Sequence, residues 1–450
     1  MLKDALKRHK RLPSTSKESN LPAIQDAANA YLPYLFALNA GSGYRDVGPE
    51  KLDVEVKRPL EVEWRGVLSD GGKGTLGKRE KVVGLGCEIA FLLLTLGMVN
   101  SLLARRELRK VFVEGSVNGE QRTAAIAAAM KYLLEAHGIH EYLVSLPILS
   151  TTKDAPVDIA PSTVSALAKL ELAEATIIVV AKDDPYTAAV AEDRDERNTD
   201  WMYKAPSIPK VRAHLYARIC LAAAEHATSA SSLLSRSGAG KVDEDLVKYA
   251  GDLRRTARGK AARFLAIDAE LSGKTGEGLA WLKGAKKELG LLASLEDGKR
   301  KGFKGLKQSF QERREDRKVE KGGEWGLDAG RYEEGRVVEM LEAKWERENS
   351  TVNVQVIPAF EPLIASMPSG REYHSPQAWV PPTLDEGTFA VMRAPPEPDE
   401  AAFRGEEEDS GGEEEAGEFG AGGAGGRAVV GAFPGTGQEY GRSGTSSSYY

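Results

Sequence analysis

Between residues 205 and 289 the apolar positions repeat with helical spacing. From Val211, the residues Leu215, Ile219 and Ala223 recur every four positions, with Arg212, Arg218 and Glu225 between them. That pattern is one face of a helix. Ser235 to Lys241 reads as a loop, after which Asp243 is placed to cap a second helix and Glu244 and Asp245 complement its N-terminal dipole. The stripe of this helix is Leu246, Ala250, Leu253, Ala257, Ala261 and Phe264. Small residues alternate with large ones along it, so a neighbouring helix can approach closely. Gly273-Lys274-Thr275-Gly276 predicts a turn, and Leu279, Leu282 and Ala285 resume the helical period. A helix, a tight turn and a helix with small residues inside is the layout of one tetratricopeptide unit. Only one such unit is legible, which argues against a repeat array.

The same pattern continues elsewhere. Leu2 to His9 is helical in character and ends at Leu12-Pro13, and a second helix is predicted from about Pro22 to Leu38. The period then changes to two. Leu52, Val54 and Val56, and then Leu60, Val62 and Trp64, alternate with charged residues, which predicts half-buried strands broken at Arg58-Pro59. A small sheet over 51–68 is expected, followed by a flexible loop from Ser69 to about Glu80. Helices are predicted over 86–105, 119–136, 138–146 and 162–181, with Pro161 suited to a first helical turn. A last helix is predicted over 331–348, with Val338, Leu341 and Trp345 on one face. Beyond Asn349 the chain turns extended and proline-rich. From Ala394 it becomes Pro/Glu, then Gly/Glu, then Gly/Ser/Tyr, too poor in apolar residues to bury a core, and it reads as disordered. The expected organisation is a mainly helical, all-α domain over 1–390, with 350–390 as an extended segment, and an acidic tail over 391–450.

Charge sharpens this division. Of the whole chain's net charge of −6, residues 394–450 carry −9 (12 acidic, 3 basic), which leaves the body at +3. The body therefore lacks the global basic signature of a nucleic-acid binder. Its one basic run, Lys299 to Lys321, has 10 basic and 4 acidic side chains. Glu312, Glu315, Asp316 and Glu320 interrupt it, so it reads first as a solvated helix pair and second as a weak contact for anionic lipid. Cys87 and Cys220 are the only cysteines, both in apolar helical surroundings. Two buried thiols in a reducing compartment are expected, since a disulfide framework needs more. No secretory signal opens the chain. The most apolar stretch, Ile89 to Ala104, contains Thr95, Gly97, Asn100 and Ser101 and lies near the lower length limit for a membrane span, so it reads as a buried core helix.

Candidate chemistry mostly fails. Gly420 to Gly425 fits G-x-G-x-x-G, but no strand precedes it and no helical pattern follows. Gly240-Lys241 and Gly273-Lys274-Thr275 lack the earlier glycine of a phosphate loop. His137 and His140 have no carboxylate or thiol at ligand spacing, which argues against a metal site. No Ser or Cys stands in a nucleophile elbow. A non-catalytic protein without cofactor, metal or small-molecule substrate is expected.

Several long strings resemble a known family. Lys204-Ala205-Pro206-Ser207-Ile208-Pro209-Lys210-Val211-Arg212-Ala213-His214 does so, as do Asp252 to Arg258, Phe264 to Glu270, and Ser366-Met367-Pro368-Ser369-Gly370-Arg371. They are similar to the fungal PalC-type pH-response regulators, which belong to the BRO-one (boomerang) domain group with Alix. Pro156 to Ser162 resembles the wider group. The resemblance covers roughly residues 1–390. Relatives usually begin some tens of residues earlier, so the N-terminus reads as shortened.

The resemblance implies an elongated boomerang-shaped helical domain with a tetratricopeptide-like middle and a small N-terminal β-sheet. It implies an adaptor in ambient-pH signalling that receives the amphipathic C-terminal helix of an ESCRT-III subunit in an apolar groove, a helix-in-groove mode. That role would support proteolytic activation of a pH-responsive transcription factor. The protein would be cytoplasmic, joining other pH-signalling components at the plasma membrane or at endosomal ESCRT sites. Laid over the Alix-like pattern, the groove positions are Val179, Val190 and Phe360, with Lys182 and Lys210 as positive rim groups. Val179 reads equally as core, because Ile177 to Val180 is apolar all round. Arg371 reads either as an anchor of the extended segment or as part of the partner surface. The alternative is a tetratricopeptide-type scaffold for a different acidic peptide, with no role in pH signalling.

Overall fold

The computed structural model describes residues 1–42, 54, 58, 60–69, 79–112, 119–147, 156–186, 210–236, 241–292 and 326–393. Helix α1 (Leu2–Arg11) and short turns over 14–20 lead into α2 (Leu21–Ser42), which runs through Pro33. Strands β1 (Glu61–Arg65) and β2 (Arg79–Val83) form an antiparallel pair with Val62 opposite Val82 and Trp64 opposite Glu80. The large helices follow: α3 (Leu85–Phe112), α4 (Gly119–Ser145), α5 (Pro161–Asp183), α6 (Lys210–Ser235), α7 (Glu244–Glu270), α8 (Thr275–Glu288) and α9 (Arg331–Glu348). Two short helices, α10 (Glu361–Ala365) and α11 (Glu386–Arg393), interrupt the segment after them.

The fold is mainly helical with a small N-terminal sheet, the class expected. From α2 to α9 each helix packs on the next in the chain. The α4–α5 pair is antiparallel: Arg122 reaches the carbonyl of Ala181 at one end, and Lys169 pairs with Glu141 at the other. Asp243 caps α7 as its sequence position suggests, its Oδ1 accepting the Asp245 N–H at 2.8 Å.

Helix α3 is the centre of the N-terminal core. It carries no charge from Ile89 to Ala104, and the residues from Cys87 to Asn100 are all buried. Among the described residues it is the helix long and apolar enough to cross a membrane, yet 89% of its apolar window is buried inside the protein. Several of its polar side chains are bonded within the helix or to its neighbours. Thr95 donates to the Phe91 carbonyl, Asn100 accepts from Gln25, and Ser101 donates to Glu171. A second core joins the ends of α5 and α7 to α8, α9 and the start of α6, and a third, smaller cluster joins α3, α4 and α5.

Two expectations are corrected. The sheet pairs β1 with residues 79–83, so the strand begins inside the loop expected to reach about Glu80. The charged run Lys78 to Lys81 conceals that strand in the sequence, although its Val82 is buried. The first expected strand, 51–56, lies almost wholly outside the described residues. The expected break between 136 and 138 is absent, and α4 is continuous. A Cβ on Gly138 would stand 3.2 Å from Trp379 Cβ, so this glycine makes room for a neighbour and does not end the helix.

Candidate functional site

The segment after α9 runs back across the helices as a strap. Its start is fixed by amide side chains. Gln355 Nε2 donates to the Gly273 carbonyl at 2.8 Å while its Oε1 accepts the Gly276 N–H at 3.0 Å, and Asn353 donates to Thr275 Oγ1. These contacts hold Val354 at φ 45°, a region that a β-branched residue seldom occupies. Phe360 and Ile364 then lie over Gly284 of α8, where a Cβ would come within 2.5 Å of Ile364 Cδ1. Further on, Gly370 presses on α6, where a Cβ would stand 2.7 Å from the Ala222 nitrogen. Beside it the Arg371 N–H donates to the Arg218 carbonyl at 2.9 Å, and Arg218 Nε donates to the Ser369 carbonyl at 3.1 Å. Glu372 pairs with His226 of α6, and His374 meets the Ala175 carbonyl of α5. Trp379 ends the path among Phe36 of α2 and Tyr142 of α4. The strap thus visits α8, α6, α5, α4 and α2, the reverse of chain order.

The expected site residues fall on several of these elements. Val179 is half-buried on α5 and packs against the C-terminal core, while its neighbours Ile178 and Val180 are buried. Lys182 is exposed three residues on and shares that face. Lys210 opens α6. Val190 lies outside the described residues. Phe360 is half-buried on α8, with Lys287 Nζ 5.2 Å from its ring centre. Arg371 is exposed on α6, held by its backbone; among the described residues its guanidinium has no ion pair. Val179 and Lys182 are therefore together, whereas Phe360 and Arg371 stand at separate points of the strap.

Sequence reasoning did not find the buried polar centres. Arg263 and Lys260 of α7 meet Asp184, just past α5, and Glu334 of α9. Arg263 Nη2–Asp184, Arg263 Nε–Glu334 and Lys260–Glu334 are each 2.5 Å, and Lys260–Asp184 is 3.3 Å. Burial by itself would raise the Asp184 carboxyl, but Arg263 and Lys260 outweigh it and hold the group well below the usual carboxylate range. The same carboxylates keep both cations charged despite their burial. A second centre links α5 to α7, where Tyr249 donates to Glu174 at 2.5 Å. Burial pushes Glu174 up to about 7, against the lowering effect of that hydrogen bond. His137 and His140, weighed above as metal ligands, bond the Ala168 carbonyl and Glu171. Among the described residues no three His, Cys, Asp or Glu side chains are grouped to hold a metal ion. Cys87 and Cys220 are buried and not joined in a disulfide, and burial pushes Cys220 up to about 12.

No protein-family model matches the chain. A relative in Emericella nidulans, "pH-response regulator protein palC", is 43% identical over 470 residues, covering 96% of this chain and 91% of that one. The chain belongs to the PalC family. A second PalC, from Cryptococcus neoformans var. neoformans, is 35% identical over 147 residues, 32% of this chain and 28% of its own length. Among solved structures the PalC chain is similar to an ALIX BRO1 CHMP4C complex, with a TM-score of 0.47 and 14% identity over 86% of this chain and 85% of that one. It is also similar to a Bro1 domain solved for the basis of endosomal targeting, with a TM-score of 0.43 and 15% identity over 87% and 83%.

Proposed function

We propose that this protein is a non-catalytic adaptor in ambient-pH signalling, and that its α5 face receives the amphipathic C-terminal helix of an ESCRT-III subunit. One observation carries the reading. In the run Ile177 to Val180, Ile178 and Val180 are buried while Val179, like Ile177, keeps part of its surface open, and the exposed Lys182 stands one turn along from Val179 on the same face. An apolar side chain beside an exposed cation suits a helix with an apolar stripe and an acidic flank. Phe360, Arg371, Lys210 and Val190 are assigned to the periphery of this contact. The palC relative is named a pH-response regulator, and a BRO1 neighbour is solved as a CHMP4C complex, which agrees with such a role. The adaptor is cytoplasmic and recruited peripherally to plasma-membrane or endosomal ESCRT sites, where it supports proteolytic activation of the pH-responsive transcription factor.

Titration of the full chain with a labelled ESCRT-III C-terminal helix tests this. Val179→Asp is expected to weaken binding at least about thirtyfold, roughly 2 kcal/mol, as for a central interface residue. Lys182→Glu should weaken it less and make it less sensitive to salt. Undiminished binding by a folded Val179→Asp protein would remove α5 from the site. Binding of acidic peptides regardless of their apolar stripe would favour a general tetratricopeptide-type scaffold.

A further inference from the structure

A cleft of about 290 Å³ opens between the start of α6, the α7–α8 turn and the strap. It is distinct from the α5 face. Its lining includes Trp281 and Leu265, with Pro368 of the strap forming one wall. Pro368 belongs to the Ser366–Arg371 motif, of which the proposed function uses only Arg371. Two carboxylates, Asp268 and Glu277, also line it. Glu277 is neutralised by Lys274 at 3.3 Å, whereas Asp268 has no ion-pair partner among the described residues.

We infer that this cleft takes an arginine side chain from a partner peptide. The volume lies at the lower limit for small-molecule pockets, roughly 300 Å³, and fits one side chain better than a whole ligand. Apart from His214, the lining holds one cation against two carboxylates, so it disfavours an anionic guest and favours a cationic one. An indole floor and a proline wall suit a flat, weakly hydrated guanidinium, which stacks on aromatic surface more readily than an ammonium. The uncommitted Asp268 carboxylate matches its fork of donors. The strap then has a binding role as well as a structural one: Gly370 seats it on α6, and that seating holds Pro368 at the cleft.

The test uses the full chain labelled with ¹⁵N at tryptophan, the indole signal of Trp281 being identified by its loss in Trp281→Phe. Acetyl-arginine-amide is titrated against acetyl-citrulline-amide, the same shape without charge, and acetyl-glutamate-amide. The expected result is a saturable shift of the Trp281 signal with arginine, and binding at least about fivefold weaker for citrulline. Asp268→Asn should weaken arginine by a similar factor, while the exposed Glu339→Gln on α9 should bind as wild type. Equal affinity for arginine and citrulline, a preference for glutamate, or no saturable shift with arginine would each overturn the assignment. The three-ligand comparison uses wild-type protein, so it decides the matter even if Asp268→Asn fails to fold.

Discussion

The two large cores of this molecule are built on opposite plans. The N-terminal core surrounds α3 with aliphatic side chains, and polar groups such as Thr95 and Gln25 are bonded within a turn or to an adjacent helix. The C-terminal core encloses four charges, Asp184, Lys260, Arg263 and Glu334, drawn from the α5 terminus, α7 and α9. The first plan gains stability by removing apolar surface from water, at about 25 cal/mol per Å². The second has a large desolvation cost that only close and complete pairing offsets. Apolar packing tolerates many sequences. A buried quartet fixes which helices meet and in what register, and here it ties the first turn of α9 to α7, at the end opposite the one from which the strap departs.

The largest expected effect separates the plans directly. Arg263→Met leaves two buried carboxylates with Lys260 alone, and should cost about 3–5 kcal/mol, as for other broken buried pairs. Adding Glu334→Leu to Arg263→Met should recover part of that loss, whereas Leu92→Ala in the N-terminal core, at about 2–5 kcal/mol, has no single partner whose change would restore it. Urea unfolding of the three variants checks both statements. An Arg263→Met protein as stable as wild type would show that the quartet does not hold the C-terminal half together.

A smaller effect probes the strap against a plain helix surface. Gly276→Ala would drive a methyl into the Val356 carbonyl and should cost about 1–3 kcal/mol, as overpacking does. It should also speed proteolytic cutting between 350 and 370. At Gly251 on α7 a Cβ meets nothing within 4 Å, so Gly251→Ala should instead stabilise by up to about 1 kcal/mol. Equal melting shifts for the two would mean that the strap gives way freely.

The smallest effect is in the pH profile. Glu174 is pushed up to about 7 by burial, from 4.5, so between those values the folded state keeps a proton that the unfolded chain has released. Stability from this group therefore falls as pH rises from about 4.5 to 7 and stays low above it. His9 acts in the opposite sense. Burial and Lys17 lower it to about 4, so its contribution is lost as pH falls from 6.5 toward 4. The difference between Glu174→Gln and wild type isolates Glu174. The variant's advantage should be absent near pH 4 and grow to a plateau above pH 7. A constant advantage at every pH would show that Glu174 is not titrating.

What the sequence determined by itself was local. The helix faces of α6, α7 and α8, the Asp243 cap, the span 331–348 and the burial of Ile89 to Ala104 follow from spacing and from short-range hydrogen bonding, which neighbouring residues carry in full. The family was legible because its strings are long. What only the tertiary structure decided depends on distant partners. Arg79 to Lys81 open a strand because β1 lies alongside. Gly138 is a seat for Trp379, 241 residues away in the chain, and not a helix break. Arg263 and Asp184 are 79 residues apart, and each alone would read as a surface charge. Val179 was undecided between core and open face, because an unbroken apolar run has no polar side to mark its exposure. Which of its residues stays uncovered is settled by how far the neighbouring helices reach, a quantity that no window of sequence contains.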